Sequence, residues 1–222
     1  MASQPNVFLT AEEYLDLEEK AEYKSEYMDG ERLAMAGASP EHDTIVVNLV
    51  VSIGHQLKGS PCKVHSSDMR VAVSSANAYT YPDVSICCED ARYVRRGSGN
   101  LLNPVVIIEV LSPSTELYDR RKKFRMYKEI PSLKEYVLVS QDEVLVERFA
   151  RQPNAGPEGG LRHDGAESRG RLRLNGADWL YSSLSSLDDS LKLHSVHVTL
   201  TLRDVYDRIF PSVEQASSSQ SS

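Results

Sequence analysis

The chain has 222 residues, 41% hydrophobic and 26% charged, a globular balance that excludes a wholly disordered or fibrous protein. With 25 Lys and Arg against 32 Asp and Glu the net charge is −7, so any contact with nucleic acid must come from a local patch and not from the overall field. Thr10 followed three residues later by Glu13 is a capping box and opens a first helix, whose apolar stripe, Tyr14, Leu15 and Leu17, is narrow. Glu26-Tyr-Met, Asp29-Gly30 and Glu31-Arg-Leu-Ala-Met read as a hairpin, because Asp-Gly supplies the two positive-φ positions of a type I′ turn. Ser39-Pro40 is a cap followed by proline at the first helical position, and the helix it opens extends to about Leu57. Ile45, Val46, Val47, Leu49, Val50, Val51 and Ile53 predict burial over most of its circumference.

Short strand signals follow at Lys63–His65, Met69–Val73 and Asp83–Cys88. The run Pro104-Val-Val-Ile-Ile-Glu-Val-Leu111 marks a central strand buried on both faces. A helix is predicted from about Leu117 to Glu129, stopped before Pro131, then strands at Glu135–Val139 and Glu143–Phe149. Residues 151–170 are glycine- and proline-rich and read as a flexible insertion loop. Trp179 begins a return to structure, His197–Leu202 reads as a strand and Arg203–Phe210 as a closing helical turn. The expected organisation is therefore a tail over 1–6, one α/β domain over 7–210 with a central mixed β-sheet flanked by helices, and a disordered Ser/Gln-rich tail over 211–222. Cys62, Cys87 and Cys88 are odd in number, two of them adjacent, with no CxxC. They predict neither a disulfide framework nor a zinc site, but small apolar core residues of a reducing compartment. The first ten residues lack the regions of a signal peptide and no run approaches 18 apolar residues, so a cytoplasmic protein without membrane contact is expected.

Two acidic residues carry the chemistry. Glu109 interrupts an otherwise apolar strand, where a carboxylate is costly unless it is paired or binds a metal. Asp83 follows Pro82 at the start of the preceding strand. Each alone has a plain alternative, a salt bridge at a strand's end or a common strand start. Together they resemble the PD-(D/E)XK nuclease superfamily, which implies a restriction-endonuclease-like fold and two carboxylates holding Mg²⁺, with Mn²⁺ as a substitute. The motif lysine two residues after the second acid is missing, since position 111 is Leu. On the following helix Asp119, Lys123 and Tyr127 recur every four residues, and Lys123 is the candidate replacement, with Lys122 and Arg121 as alternatives. The plain reading of Lys123 is a salt bridge to Asp119.

Phe8-Leu-Thr-Ala-Glu-Glu-Tyr14, Glu26-Tyr-Met-Asp-Gly-Glu31, Ala34-Met-Ala-Gly-Ala-Ser-Pro-Glu-His42, Tyr81-Pro-Asp-Val84, Asn103–Thr115 and Tyr118–Phe124 narrow the resemblance to the Uma-type family of bacterial restriction endonucleases, over about residues 7–150. That resemblance implies a metal-dependent DNA endonuclease with Asp83, Glu109 and Lys123 as catalytic residues and Asp83 and Glu109 as metal ligands. Glu26, His42 and Asp119 are supporting candidates and Asp68 a weaker one. DNA is the expected nucleic acid, with RNA as an alternative, and a homodimer is the expected assembly. Arg120, Arg121, Lys122 and Arg125 form a basic cluster suited to a phosphate backbone, which Arg92, Arg95 and Arg96 could extend; the alternative is a solvated helix face. A chain that keeps the fold, binds DNA and cuts poorly is the competing reading, favoured by Leu111.

Overall fold

The computed structural model describes residues 8–35, 37–94, 99–152, 162–164, 167–174 and 177–210, with backbone alone for those between 162 and 178. Helix α1 (Ala11–Glu18) leads into the hairpin β1 (Ser25–Met28) and β2 (Glu31–Ala34), then α2 (Pro40–Gln56), β3 (Lys63–Ser66), β4 (Arg70–Val73), β5 (Ala78–Thr80), β6 (Val84–Cys87), β7 (Tyr93–Val94) and β8 (Asn100–Leu101). The buried strand β9 (Val106–Leu111) is followed by a helical segment of three pieces: α3 (Glu116–Tyr118), a π-helical turn (Asp119–Lys123) and α4 (Phe124–Tyr127). The remaining elements are β10 (Glu135–Ser140), β11 (Val146–Gln152), β12 (Arg162–Asp164), β13 (Glu167–Leu174), β14 (Ala177–Leu184), β15 (Ser190–Leu193), β16 (Val198–Thr201) and α5 (Leu202–Val205).

The central sheet has eight strands in the order β12-β13-β14-β11-β10-β9-β6-β3, and it is mixed because β9 and β10 run parallel while the other neighbours are antiparallel. All six residues of β9 are buried, as a strand with neighbours on both sides and cover on both faces must be. Val106, Ile108 and Val110 pack with Ile45, Leu49 and Ile53 of α2 on one face. Ile107 and Leu111 pack with Phe124, Met126 and Tyr127 of α4 on the other. A six-stranded sheet, β2-β1-β5-β4-β8-β7, closes that second side. Glu109 belongs to the odd-numbered set, so strand periodicity alone turns it toward α4 and the smaller sheet.

The local signals behave as their chemistry requires. Thr10 and Glu13 form a reciprocal capping box, and Asp29 and Gly30 both take positive φ, 47° and 96°. Tyr14 of α1 stacks on Tyr27 with ring centroids 5.0 Å apart and fastens the helix to the smaller sheet.

Three expectations change. Helix α2 buries only Ile45, Leu49 and Ile53 fully, while Val47 and Val51 are 50% and 64% exposed, because the sheet covers one face only. Arg162–Asp164 and Glu167–Leu174 are strands where glycine-rich composition predicts a loop; their partner β14 lies beyond that stretch and supplies the pairing. Residues 153–161 and the two tails, 1–6 and 211–222, lie outside the described residues. Finally, Cys62 and Cys88 are joined in a disulfide and only Cys87 is free. The β3–β6 register sets Lys63 opposite Cys87, so one step further along sets Cys62 opposite Cys88. Cys87 points to the other face of β6, which is why two adjacent cysteines have different partners.

Candidate active site

Antiparallel pairing places the two acids together. Val84 lies opposite Ile108, and one step outward the same register sets Asp83 opposite Glu109. The backbone N–H of Asp83 donates to Glu109 Oε2 at 3.4 Å, and the N–H of Val110 donates to Asp83 Oδ2 at 2.7 Å. Each side chain thus accepts from the other strand's backbone. Glu109 is 2% exposed.

The helix above completes the centre. Lys123 Nζ lies 3.1 Å from Glu109 Oε1, 3.1 Å from Glu26 Oε1 and 3.1 Å from Asp119 Oδ1. Its ammonium therefore points into the cleft and not into solvent. The π turn holds both Asp119 and Lys123 inward; such turns occur mostly as single bulges inside α-helices, frequently at functional sites. Glu26 comes from β1 and is fixed by the N–H of Tyr81 at 3.1 Å. Tyr127 donates its hydroxyl to Glu109 Oε1 at 3.0 Å, and that hydroxyl lies 2.9 Å from Thr80 Oγ1. Tyr118 places its ring centroid 5.6 Å from Lys123 Nζ. His42 reaches Asp83 Oδ2 with Nε2 at 3.3 Å. The cap sets its position: Ser39 Oγ accepts the His42 N–H at 3.1 Å and starts α2 beside the cleft.

Three carboxylates, Glu26, Glu109 and Asp119, thus gather about one ammonium, and a fourth, Asp83, borders Glu109. Burial pushes the Glu109 carboxyl well above the usual carboxylate range; Lys123 pulls it down, while Asp119, Asp83 and Glu26 push it up. Burial likewise raises Asp119, against the pull of Lys123. Burial opposes the Lys123 ammonium, but Glu109 and Glu26 outweigh it and hold the lysine well above its ordinary value. Burial also works against the His42 imidazolium, and the Asp83 carboxylate overcomes it, leaving His42 raised. Among the described residues no three His, Cys, Asp or Glu side chains converge as a ready metal cage. Lys123 instead draws three carboxylates about itself.

Other sequence candidates lie elsewhere. Asp68 is exposed and pairs with Lys24. Arg120 is engaged by Glu116 at 2.7 Å and by Glu147, so it is not free for a phosphate. Its second partner comes from β11, which helix spacing cannot reveal. Arg121, Lys122 and Arg125 are exposed on the helical segment, and Lys122 does not enter the cleft. Arg92 is exposed, and its backbone N–H is bound by Asn103 Oδ1 at 2.7 Å; Arg95 and Arg96 lie outside the described residues. Thr80, Tyr118 and Tyr127 join the site without having been assigned a role by sequence reasoning. The four-residue spacing of Tyr127 from Lys123 is the one local hint of it.

The fold and the family are shared with known proteins. A solved structure described as a putative nuclease belonging to DUF820, from Anabaena variabilis, superposes with a TM-score of 0.65 at 19% identity, covering 91% of this chain and 99% of that one. The uncharacterized protein slr1290 of Synechocystis sp. is 40% identical over 147 residues, 66% of this chain and 76% of its own length. A second uncharacterized Synechocystis protein, sll1609, is 36% identical over 143 residues, 64% of this chain and 81% of its own. The model of the Uma2 family, described as "Putative restriction endonuclease", matches residues 11–170, a span that includes Glu26, Asp83, Glu109 and Lys123, and the chain belongs to that family.

Proposed function

We propose that the chain is a divalent-metal-dependent endonuclease hydrolysing phosphodiester bonds of DNA, with Mg²⁺ as the metal and Mn²⁺ able to replace it. The observation that carries this reading is Lys123: its ammonium sits 3.1 Å from Glu109 and from Glu26 in a chain whose motif position holds buried Leu111. The donor set suits a hard cation, since the acids offer only oxygen and outnumber the ammonium, leaving surplus negative charge for a divalent ion to offset. Asp83 and Glu109 would hold it, supported by Glu26 and Asp119. Such an ion, when bound, lowers the pKa of a water and offsets charge developing on the phosphate. Lys123, held protonated, cannot serve as a base; it orients the reacting groups and stabilises negative charge electrostatically. His42 steadies Asp83 through Nε2. Arg121, Lys122 and Arg125, on the exposed side of the same helical segment, offer a track for the DNA backbone.

Plasmid DNA incubated with and without Mg²⁺ or Mn²⁺, beside an Asp83→Ala control, tests this. Metal-dependent nicking that the control lacks is the expected result; intact DNA under both metals overturns it. A second reading, a DNA-binding or assembly protein that cuts poorly, is favoured by Leu111 and by a lysine already engaged by three acids. Retention of DNA without cleavage is its signature, and the same assay on RNA separates the two nucleic acids.

A further inference from the structure

Tyr127 is fully buried, yet its hydroxyl does not serve the core around it. It bridges Glu109 Oε1, at 3.0 Å, and Thr80 Oγ1, at 2.9 Å, and Thr80 is itself fully buried. The three residues come from three elements: β9 of the central sheet, α4 above it, and β5 of the smaller sheet. Proton counting sets the direction of the chain. The phenol has one proton and gives it to Glu109 Oε1, so the Thr80 hydroxyl must donate to Tyr127.

The bonds also divide the two oxygens of Glu109. Oε1 is taken by Tyr127 and Lys123, while Oε2 is turned to the backbone of Asp83. Without the phenol, Lys123 alone would hold Oε1, and Lys123 is shared with Glu26 and Asp119. From this geometry we propose that Tyr127, braced by Thr80, is a positioning residue that fixes the Glu109 carboxylate so that Oε2 stays beside Asp83, available to a divalent cation. The function assigned to that cation rests on the nuclease reading above. The same smaller-sheet strand end also fixes Glu26, through the N–H of Tyr81. The end of β5 thereby sets two acids of the cleft at once.

Partners that orient a metal-binding carboxylate typically change metal affinity by 10- to 100-fold when removed. Titration calorimetry of the full chain with Mn²⁺ alone is the test, on wild type, Tyr127→Phe, Thr80→Val and Thr80→Ser. Tyr127→Phe should weaken Mn²⁺ binding about tenfold. Thr80→Val should weaken it less, and Thr80→Ser, which keeps the hydroxyl, should stay near wild type. A merely structural tyrosine would lower the melting temperature without moving Mn²⁺ affinity, so wild-type affinity in Tyr127→Phe overturns the proposal. A wild-type chain that binds no Mn²⁺ overturns the nuclease reading. The positioning role is then decided by metal-free crystal structures of wild type and Tyr127→Phe: displacement of Glu109 upholds it, and an unmoved Glu109 refutes it.

Discussion

Glu109 and Glu135 lie on neighbouring strands of one sheet, both 2% exposed, and their surroundings differ in kind. Glu135 has a private partner. Arg148 Nε binds its Oε2 at 2.5 Å, and the N–H of Ser195 donates to its Oε1 at 2.8 Å. One negative charge meets one positive charge and both oxygens are used. Glu109 shares a single ammonium with two other acids and borders a fourth, Asp83. A buried carboxylate whose charge is matched is a fastener. A buried carboxylate in surplus negative charge needs a further cation or a proton, and the raised Glu109 carboxyl expresses that need.

The largest test removes the cation from each centre. Arg148→Ala leaves Glu135 buried and unpaired, which costs about 3–5 kcal/mol, and Mn²⁺ should return none of it. Lys123→Ala should cost a comparable amount in metal-free buffer but regain part of it when Mn²⁺ is added, because the proposed divalent ion would offset the charge that the ammonium offsets now. Urea denaturation of both variants, with EDTA and with Mn²⁺, measures the difference. Equal indifference to Mn²⁺ in both variants would erase the distinction between fastener and site. Cleavage by Lys123→Ala should fall about 10²–10³-fold, the usual cost of one electrostatic donor.

Metal removal comes next. Wild type saturated with Mg²⁺ at 100 times its dissociation constant should gain about 2.7 kcal/mol over protein in EDTA. Asp83→Asn should lose that gain and Arg148→Lys should keep it, which calorimetric melting can read directly. An Asp83→Asn chain stabilised as much as wild type would place the ion away from Asp83.

How far this contrast is legible in the sequence depends on what sets each contact. The pairing of Asp83 with Glu109 is legible because a polar break in an apolar strand and a Pro-Asp strand start are both local signals. Lys123 is legible through helix spacing from Asp119. Glu135 begins its apolar run instead of breaking it, so nothing local marks it as buried, and its partners, 13 and 60 residues away, are set by the tertiary fold. Thr80 and Tyr127 meet across 47 residues for the same reason. The disulfide depends on one step of strand register, and β12 and β13 on a partner strand that lies outside the stretch whose composition suggests a loop. Capping boxes and Asp-Gly turns act within four residues, which is why α1, the first hairpin and the start of α2 can be placed from the sequence.

The exposed face of the helical segment gives a weaker effect. Arg121, Lys122 and Arg125 lie outside the buried network, so alanine at all three should leave Mn²⁺ affinity and melting temperature near wild type. DNA binding should weaken, and its dependence on log salt should become shallower by about one for each phosphate that is no longer neutralised. An unchanged slope from a salt titration of fluorescence anisotropy would remove these residues from the DNA track.

The smallest effect separates the two glutamates by their charge alone. Glu135→Gln keeps the shape but takes from Arg148 the carboxylate it pairs with and weakens two charge-assisted bonds, at a cost of about 1.5–3 kcal/mol. Glu109→Gln removes one negative charge from a centre that has too many, and Lys123 keeps Glu26 and Asp119. The amide can still place one oxygen toward a donor, although its NH₂ then faces groups that prefer an acceptor. Relief of repulsion offsets that mismatch, so metal-free Glu109→Gln should melt within about 1 kcal/mol of wild type. Mn²⁺ affinity should respond in the opposite sense, falling in Glu109→Gln and holding in Glu135→Gln. A Glu109→Gln chain that unfolds as readily as Glu135→Gln in EDTA would make Glu109 a charge-matched fastener like its neighbour.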